Sequence, residues 1–186
     1  MSTEHEFRYA VGQREVKGYD TQELRDAFLA DKLMQEGKIY WIYSHYERFM
    51  VGSAVPTNTP LKLETLDDQL KMHFFTARRE VGVINVGGTG TITVGDTVYE
   101  LAREEALYIG MGNEHVEFAS NDASQPAKFY LNSAPAHHAY PCKKVGKGDA
   151  NVLELGSPET CNERKIPRIL ITREGDTWRV GTGLTR

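Results

Sequence analysis

Glu80 and His115 are the residues whose types and surroundings first suggest chemistry in this sequence. Carboxylate oxygens and imidazole nitrogens bind zinc, manganese and iron, and such a site needs three or four donors that converge. Glu80 and His115, with His73 as a third residue at irregular spacing, offer only two or three. We therefore expect no metal at these positions, and rank last the alternative of a metal-dependent oxygenase that uses Glu80 and His115.

The glycines near these two residues point to a fold. Gly87 follows Glu80 after a short strand-like run, and Gly110 and Gly112 precede His115. These intervals resemble the two motifs of the cupin superfamily, whose members are small jelly-roll barrels that often bind a metal inside. The first motif is incomplete here, because at most one of its two usual histidines is present.

Arg79 stands directly before Glu80 and could serve a different purpose. An arginine at the mouth of a barrel can hold the carboxylate of a sugar acid in a bidentate fork. The alternative is an exposed or interfacial ion pair, which is common for arginine. A second cluster, formed by the neighbouring His137 and His138 with Cys142 and Cys161, lacks zinc spacing, because adjacent side chains of a strand point to opposite faces.

The elements that must position these residues are one short helix and many short strands. Leu24, Phe28, Leu29 and Leu33 have helical spacing, and Asp20 stands at the position of an N-cap. The strand-like segments that follow are short, β-branched or aromatic, and bounded by turn residues. They are 39–43, 49–51, 70–75, 81–86, 91–94, 97–101, 106–109, 116–119 and 128–132. This pattern predicts an all-β, cupin-like jelly-roll barrel with a short N-terminal helix.

Length and composition limit the remaining possibilities. The chain has 186 residues, with 40% hydrophobic and 26% charged residues, which suits one folded domain. We divide it into an N-terminal arm and helix (1–37), a barrel (38–141) and a linker with an atypical tail (142–186). The formal charge of −4 argues against nucleic acid as a partner. No apolar run has the length of a membrane span, and the N-terminus lacks the pattern of a signal peptide. Two cysteines in a chain of this length are typical of free thiols in a reducing compartment, so we expect a cytoplasmic protein.

Beyond spacing, the sequence resembles the 5-keto-4-deoxyuronate isomerase family from about residue 15 to about residue 166. The strings that carry this resemblance are 20–22, 43–45, 78–80, 82–85, 90–94, 106–108, 118–120, 126–130, 134–137, 140–141 and 143–144. After Ile166 we expect the resemblance to end.

The resemblance implies an aldose–ketose isomerase that converts 5-keto-4-deoxyuronate, a sugar acid from pectin breakdown, into 3-deoxy-2,5-hexodiulosonate. It implies zinc as cofactor, held by three histidines and a glutamate in a second half that we expect this chain to lack, and so no zinc in this chain. Arg79, Glu80 and His137 are the residues that we expect to approach the substrate, in a homo-oligomer. The alternative hypothesis is a non-catalytic cupin module with a structural, oligomerising or sugar-acid-binding role.

Overall fold

The computed structural model describes residues 3–149, 151–173 and 176–181, and most of them lie in β-sheets. Three short α-helices are present in this part of the chain, namely α1 (Gln13–Val16), α2 (Thr21–Phe28) and α3 (Asp67–Leu70). The strands are β1 (Thr3–Arg8), β2 (Ile39–Ser44), β3 (Met50–Ala54), β4 (Leu61–Lys62), β5 (Arg79–Asn85), β6 (Gly90–Val94), β7 (Thr97–Leu101), β8 (Ala106–Ile109), β9 (Val116–Ser120), β10 (Phe129–Pro135), β11 (Lys143–Val145), β12 (Asn151–Leu155), β13 (Arg164–Arg173) and β14 (Asp176–Gly181).

The predicted helix is α2, and it begins as the sequence indicates. The Asp20 carboxylate accepts a hydrogen bond from the Glu23 backbone N–H at 2.8 Å, and the Glu23 carboxylate accepts one from the Asp20 N–H at 2.8 Å. This reciprocal capping satisfies two amides that a helix start leaves without partners. The helix ends at Phe28 rather than Leu33.

Two sheets make up the body of the molecule. The larger has the strand order β1-β2-β3-β10-β5-β8-β11, and the smaller has the order β4-β9-β6-β7. Strand β1 pairs with β2 in parallel, whereas the other neighbours in these two sheets pair antiparallel. The register puts Val81 of β5 opposite Ser133 of β10, and Gly82 of β5 opposite Tyr108 of β8.

The hydrophobic core lies between the two sheets. Phe118 of the smaller sheet packs on Phe129 of the larger sheet with ring centroids 5.5 Å apart, and both side chains are fully buried. Trp41 stacks on Phe75 at 4.8 Å in the same core. The opposite face of the larger sheet carries a separate small cluster that includes Ile84. The face of the larger sheet that carries Phe129 faces this core and is called the inner face. The face that carries Ile84 is called the outer face.

The sheets stay open at their edges. The strand pairing of the described residues contains no ladder between the larger and the smaller sheet, so the two form facing layers and not a closed barrel. The prediction of a mainly β fold is confirmed. The strand pairing does not show a closed barrel. No helix among the described residues has the length and apolarity needed to cross a bilayer.

One predicted strand is wrong. The segment 70–75 contains the end of α3 and the start of a 3-10 turn over Phe75–Ala77. Lys71 has a φ of 52°, which no strand accommodates, and the apolar character of the segment reflects Phe75, whose ring is buried against Trp41. The other predicted strands are present, and the hairpin between β6 and β7 turns at Gly95 with a φ of 56°.

The C-terminal segment contains more strand than its composition suggests. Strand β11 adds to the edge of the larger sheet beside β8, and β12, β13 and β14 form a third, three-stranded sheet. The sequence predicts loop or linker for residues 143–163, where β11 and β12 are found. The division of the chain at residues 37 and 141 stays a prediction.

Candidate functional site

The three residues predicted to approach a substrate lie at one end of β5, but on two faces of the larger sheet. Arg79 hydrogen-bonds to Ser133, which shares the inner face with Val81. Glu80 hydrogen-bonds to Tyr108, which shares the outer face with Gly82. Because consecutive residues of a strand point in opposite directions, Arg79 and Glu80 belong to separate environments.

On the outer face, Glu80 is a buried carboxylic acid with one strong donor. Its side chain belongs to a residue that is only 7% exposed, and the Tyr108 hydroxyl donates to Oε2 at 2.8 Å. Burial raises the pKa of Glu80, while the Tyr108 hydrogen bond and the nearby His137 imidazole oppose that rise. The pKa of Tyr108 is raised by its own burial and by the Glu80 carboxylate. A buried acid with a raised pKa can exchange a proton closer to neutral pH than an ordinary glutamate.

The segment that follows β10 brings His137 towards Glu80. The Ala136 N–H donates to the Arg78 carbonyl at 2.9 Å, which ties the start of this segment to the residue before β5. Further on, the Tyr140 backbone passes so close to Gly110 that a Cβ at residue 110 would lie 1.8 Å from the Tyr140 carbonyl oxygen. Gly110, which the sequence placed in a metal motif, therefore serves this close approach.

On the inner face, Arg79 is a buried cation. It is 5% exposed, and its hydrogen bonds run to the Ser133 hydroxyl (3.0 Å), the Ser133 carbonyl (2.9 Å) and the Arg48 carbonyl (2.7 Å). Burial lowers the pKa of Arg79 to about 10, Tyr43 opposes this, and the charge of Arg48 adds to it. The bond to Arg48 anchors the turn between β2 and β3, where Glu47 and Arg48 have φ values of 53° and 54°.

A set of rings, here called the aromatic row, continues from Tyr43 on the same face. Its members come from β1, β2 and the residues just after them: His5, Phe7, Tyr9, Tyr43 and His45. Tyr9 stacks on His45 with centroids 4.7 Å apart, His45 meets Tyr43 at 5.4 Å, and Phe7 lies 5.8 Å from Tyr43. Tyr9 remains 72% exposed, so the row offers ring surface to solvent.

His115 lies elsewhere. Together with His73, Glu64 and Glu114 it lines a cavity of about 550 Å³ beside the smaller sheet, and Glu80 is not part of that lining. The cupin-like spacing of Glu80 and His115 therefore does not bring the two side chains into one site.

In the described part of the chain, no three His, Cys, Asp or Glu side chains are grouped so that they could hold a metal ion. These residues do not fit the zinc site of three histidines and a glutamate. Both cysteines are free thiols, as predicted, with Cys142 half-buried and Cys161 exposed.

Sequence reasoning missed Tyr108, Arg48 and the aromatic row. Tyr108 was visible only as a strand residue, because its bond to Glu80 depends on the pairing of β5 with β8. One feature of the sequence indicated the aromatic row: His5, Phe7 and Tyr9 occupy every second position and alternate with charged residues, as in a strand with one aromatic face.

Comparisons with known proteins agree with this architecture. A ketol-isomerase of Formosa agariphila, named 4-deoxy-L-threo-5-hexosulose-uronate ketol-isomerase, is 56% identical over 185 residues, which cover all of this chain and 66% of that protein. A protein of the same name from Escherichia coli O127:H6 is 40% identical, over 96% of this chain and 64% of its own length. The chain thus spans slightly less than two thirds of the length of these relatives.

A solved structure shows a similar fold at low identity. The crystal structure of an IolB-like protein from Salmonella typhimurium LT2 superimposes with a TM-score of 0.51 and 14% identity, over 66% of this chain and 44% of that one.

The chain thus has two facing β-sheets, with a buried acid and a buried arginine on consecutive residues of β5. The match to the model of the KduI/IolB family over residues 28–180 is specific, and the chain belongs to this family. The resemblance seen in the sequence is confirmed. The prediction that it ends after Ile166 is wrong, because the family match continues to residue 180.

Proposed function

We propose that this chain is part of a ketol-isomerase that converts 5-keto-4-deoxyuronate into 3-deoxy-2,5-hexodiulosonate in uronate breakdown. The observation that carries this proposal is the 56% identity, over the whole chain, to a relative named for that reaction. The reaction moves a proton between neighbouring carbons of a sugar acid, and such a transfer needs an acid–base group in contact with the substrate.

Within this chain, Glu80 and His137 are the residues that we propose for the approach to the sugar acid. Glu80 has the raised pKa and the limited exposure that suit proton exchange, and the Tyr108 hydroxyl fixes one of its oxygens. His137 lies close enough to influence that pKa electrostatically. Arg79, the third predicted residue, faces away from them across β5 and would have to contact a ligand on the inner face.

Zinc enters the proposal only as a property of the resembled family. When bound, it polarises an oxygen of the substrate in such an isomerase. The described residues of this chain do not fit that site, so no step is assigned through the metal. That the chain supplies no zinc ligand of its own stays a prediction, which zinc titration of the purified chain tests.

We also propose a cupin-type jelly roll for the two facing sheets and a cytoplasmic homo-oligomer as the working form. The shared core of the sheets supports the first point. Leu24 and Phe28 on α2 and Leu29 just after it support the second point, because they are 38%, 55% and 38% exposed and offer an apolar contact surface. Sedimentation velocity of the purified chain tests the oligomer. The absence of a nucleic-acid or membrane partner stays a prediction.

A second candidate function is that of a sugar-acid-binding module without catalysis. The observation that favours it is the buried Arg79, which holds a positive charge against the inner face whether or not Glu80 takes part in chemistry. Turnover distinguishes the two candidates, because only the isomerase consumes its ligand.

The experiment is an isomerisation assay of the purified chain with 5-keto-4-deoxyuronate and added zinc. Turnover that falls about a hundredfold or more in Glu80→Gln would support an isomerase role for this chain, since general acid–base groups contribute that much. Arg103→Gln is the matched control, because the Arg103 side chain is 70% exposed and its ion pair with Glu104, at 4.0 Å, lies at the surface. Folded protein without turnover would refute isomerase activity in this chain and leave the binding module.

A further inference from the structure

Arg79 is a buried positive charge, and its hydrogen bonds within the described residues reach only neutral oxygen atoms. Among the side chains that the structure describes, no carboxylate forms an ion pair with it, and its three hydrogen bonds go to neutral oxygens of Ser133 and Arg48. Its Nη1 makes no hydrogen bond to a described residue. Buried arginines are nearly always paired, because removing a charge from water is costly. This guanidinium is therefore suited to an anion that comes from outside the chain.

A second cation lies beside the first. Arg48 is exposed, and its carbonyl accepts a hydrogen bond from Arg79 Nη2 at 2.7 Å. Burial is the main cause of the lowered Arg79 pKa, and the charge of Arg48 acts in the same direction. The positive charges of Arg79 and Arg48 act on each other unfavourably, and an anion close to both would offset this repulsion. A planar carboxylate matches the fork of arginine donors.

The aromatic row gives this anion site a neighbouring apolar surface. Tyr43 interacts electrostatically with Arg79 and also begins the row, whose Tyr9 and His45 rings stack near solvent. The indole N–H of the buried Trp41, two residues before Tyr43 on the same face of β2, has no hydrogen-bond partner among the described residues. Rings beside polar donors suit a ligand with both an apolar face and hydroxyl groups, and a sugar ring has both.

We propose that Arg79 and Arg48, together with the aromatic row, form a binding site on the inner face of the larger sheet for the carboxylate and ring of a sugar acid. The choice of a sugar acid over other carboxylates rests on the proposed function, whereas the need for an anion rests on the two guanidinium groups alone. The site is separate from Glu80 and His137, because those residues lie on the outer face.

Calorimetric titration of the 186-residue chain with D-galacturonate tests this site, with D-galactose and acetate as matched ligands. Galactose keeps the ring and lacks the charge, whereas acetate keeps the charge and lacks the ring. We expect saturable binding of galacturonate, at least tenfold weaker binding of each control ligand, and loss of about tenfold in Arg48→Gln. Tenfold corresponds to about 1.4 kcal/mol.

Arg48→Gln is the first variant because Arg48 is exposed and its bond to Arg79 uses the backbone carbonyl, which the substitution keeps. Tyr9→Ala tests the row at its most exposed ring, and we expect about a threefold loss for galacturonate and none for acetate. Arg103→Gln serves as the charge control and should leave binding unchanged. Arg79→Lys, whose ammonium group cannot form the fork, should bind galacturonate at least tenfold more weakly if circular dichroism shows it folded.

Three results would overturn the proposal: no saturable galacturonate binding by folded protein, equal binding of galactose, or unchanged binding in Arg48→Gln. Galacturonate that binds no better than acetate would remove the sugar part and refute the role of the row. The proposed isomerase fails separately, by absence of turnover while galacturonate binding and its dependence on Arg48 persist.

Discussion

The hydrogen bond between Tyr108 and Glu80 should make the stability of this protein depend on pH, and removal of the Tyr108 hydroxyl oxygen should change that dependence. Tyr108→Phe removes the hydroxyl that donates to Glu80 Oε2 at 2.8 Å and keeps the ring. A hydrogen bond to an ionised group contributes about 1.5–3 kcal/mol, and one between neutral groups about 1 kcal/mol. We therefore expect Tyr108→Phe to cost about 2 kcal/mol when Glu80 is ionised and about half of that when Glu80 is protonated, so that the cost at pH 8 exceeds the cost at pH 4.

The stability that Glu80 itself contributes changes with pH in the opposite direction, because burial raises the pKa of Glu80 despite the bond from Tyr108. In the unfolded chain the acid loses its proton near its ordinary value of 4.5, whereas burial in the folded protein holds the proton to higher pH. The contribution of Glu80 to folding stability is thus intact below pH 4.5 and declines as the pH rises towards the folded pKa. Glu80→Gln should abolish this decline and be the more stable protein at pH 8.

The assay is thermal unfolding of the wild type, both single variants and the double variant at pH 4 and pH 8. For a chain of this size, 2 kcal/mol corresponds to a fall in Tm of roughly 4–8 °C. A double-mutant cycle should give a coupling of about 1 kcal/mol at pH 8 and less at pH 4. Equal costs of Tyr108→Phe at the two pH values, or zero coupling, would show that the pair is not a charge-assisted bond.

Three further predictions concern the fold. Phe118→Ala removes a fully buried ring that packs on Phe129 between the sheets. It should lower the free energy of unfolding, measured by urea titration, by about 3–5 kcal/mol. A loss below about 1 kcal/mol would contradict a core shared by the two sheets. At the turn between β6 and β7, Gly95→Val should destabilise more than Gly95→Asn, because φ is 56° and no atom crowds the site, and equal Tm values would contradict this. Asp20→Ala should cost about 1 kcal/mol and speed amide hydrogen exchange at the start of α2, with the Glu23 amide changing most; unchanged exchange there would count against the capping box.

Much of the fold was predictable because its signals are local. The alternation of buried and exposed residues in β6, and the Gly95 turn that follows, both fit within a few residues of sequence. Strand β1 was missed because Thr3–Arg8 is mostly polar and forms a strand through parallel pairing with β2, more than thirty residues away. Local pattern does not encode such a partner.

The sequence identified residues of the candidate site but did not predict how those residues are arranged around β5. Arg79 and Glu80 were recognised at the start of a strand, yet they were expected to share one ligand, although the period of a strand separates them. The role proposed for Arg48 depends on a carbonyl in a turn that reaches Arg79, and the position of Tyr108 depends on the pairing of β8 with β5. Contacts of this kind arise from tertiary structure.

Strand β1 is an edge strand of the larger sheet, and its charged side chains oppose edge-to-edge pairing with another copy of the chain. An open sheet edge is a template for uncontrolled pairing, and charged side chains on the edge strand discourage it. Glu4 and Glu6 of β1 form ion pairs with Lys38 at 2.5 Å and Lys32 at 3.2 Å, so this edge carries charge along its length. Removing β1 would uncover the buried, apolar β2 as the new edge. A chain shortened in this way would gain an edge prone to intermolecular pairing and would lose His5 and Phe7, two of the five rings of the aromatic row.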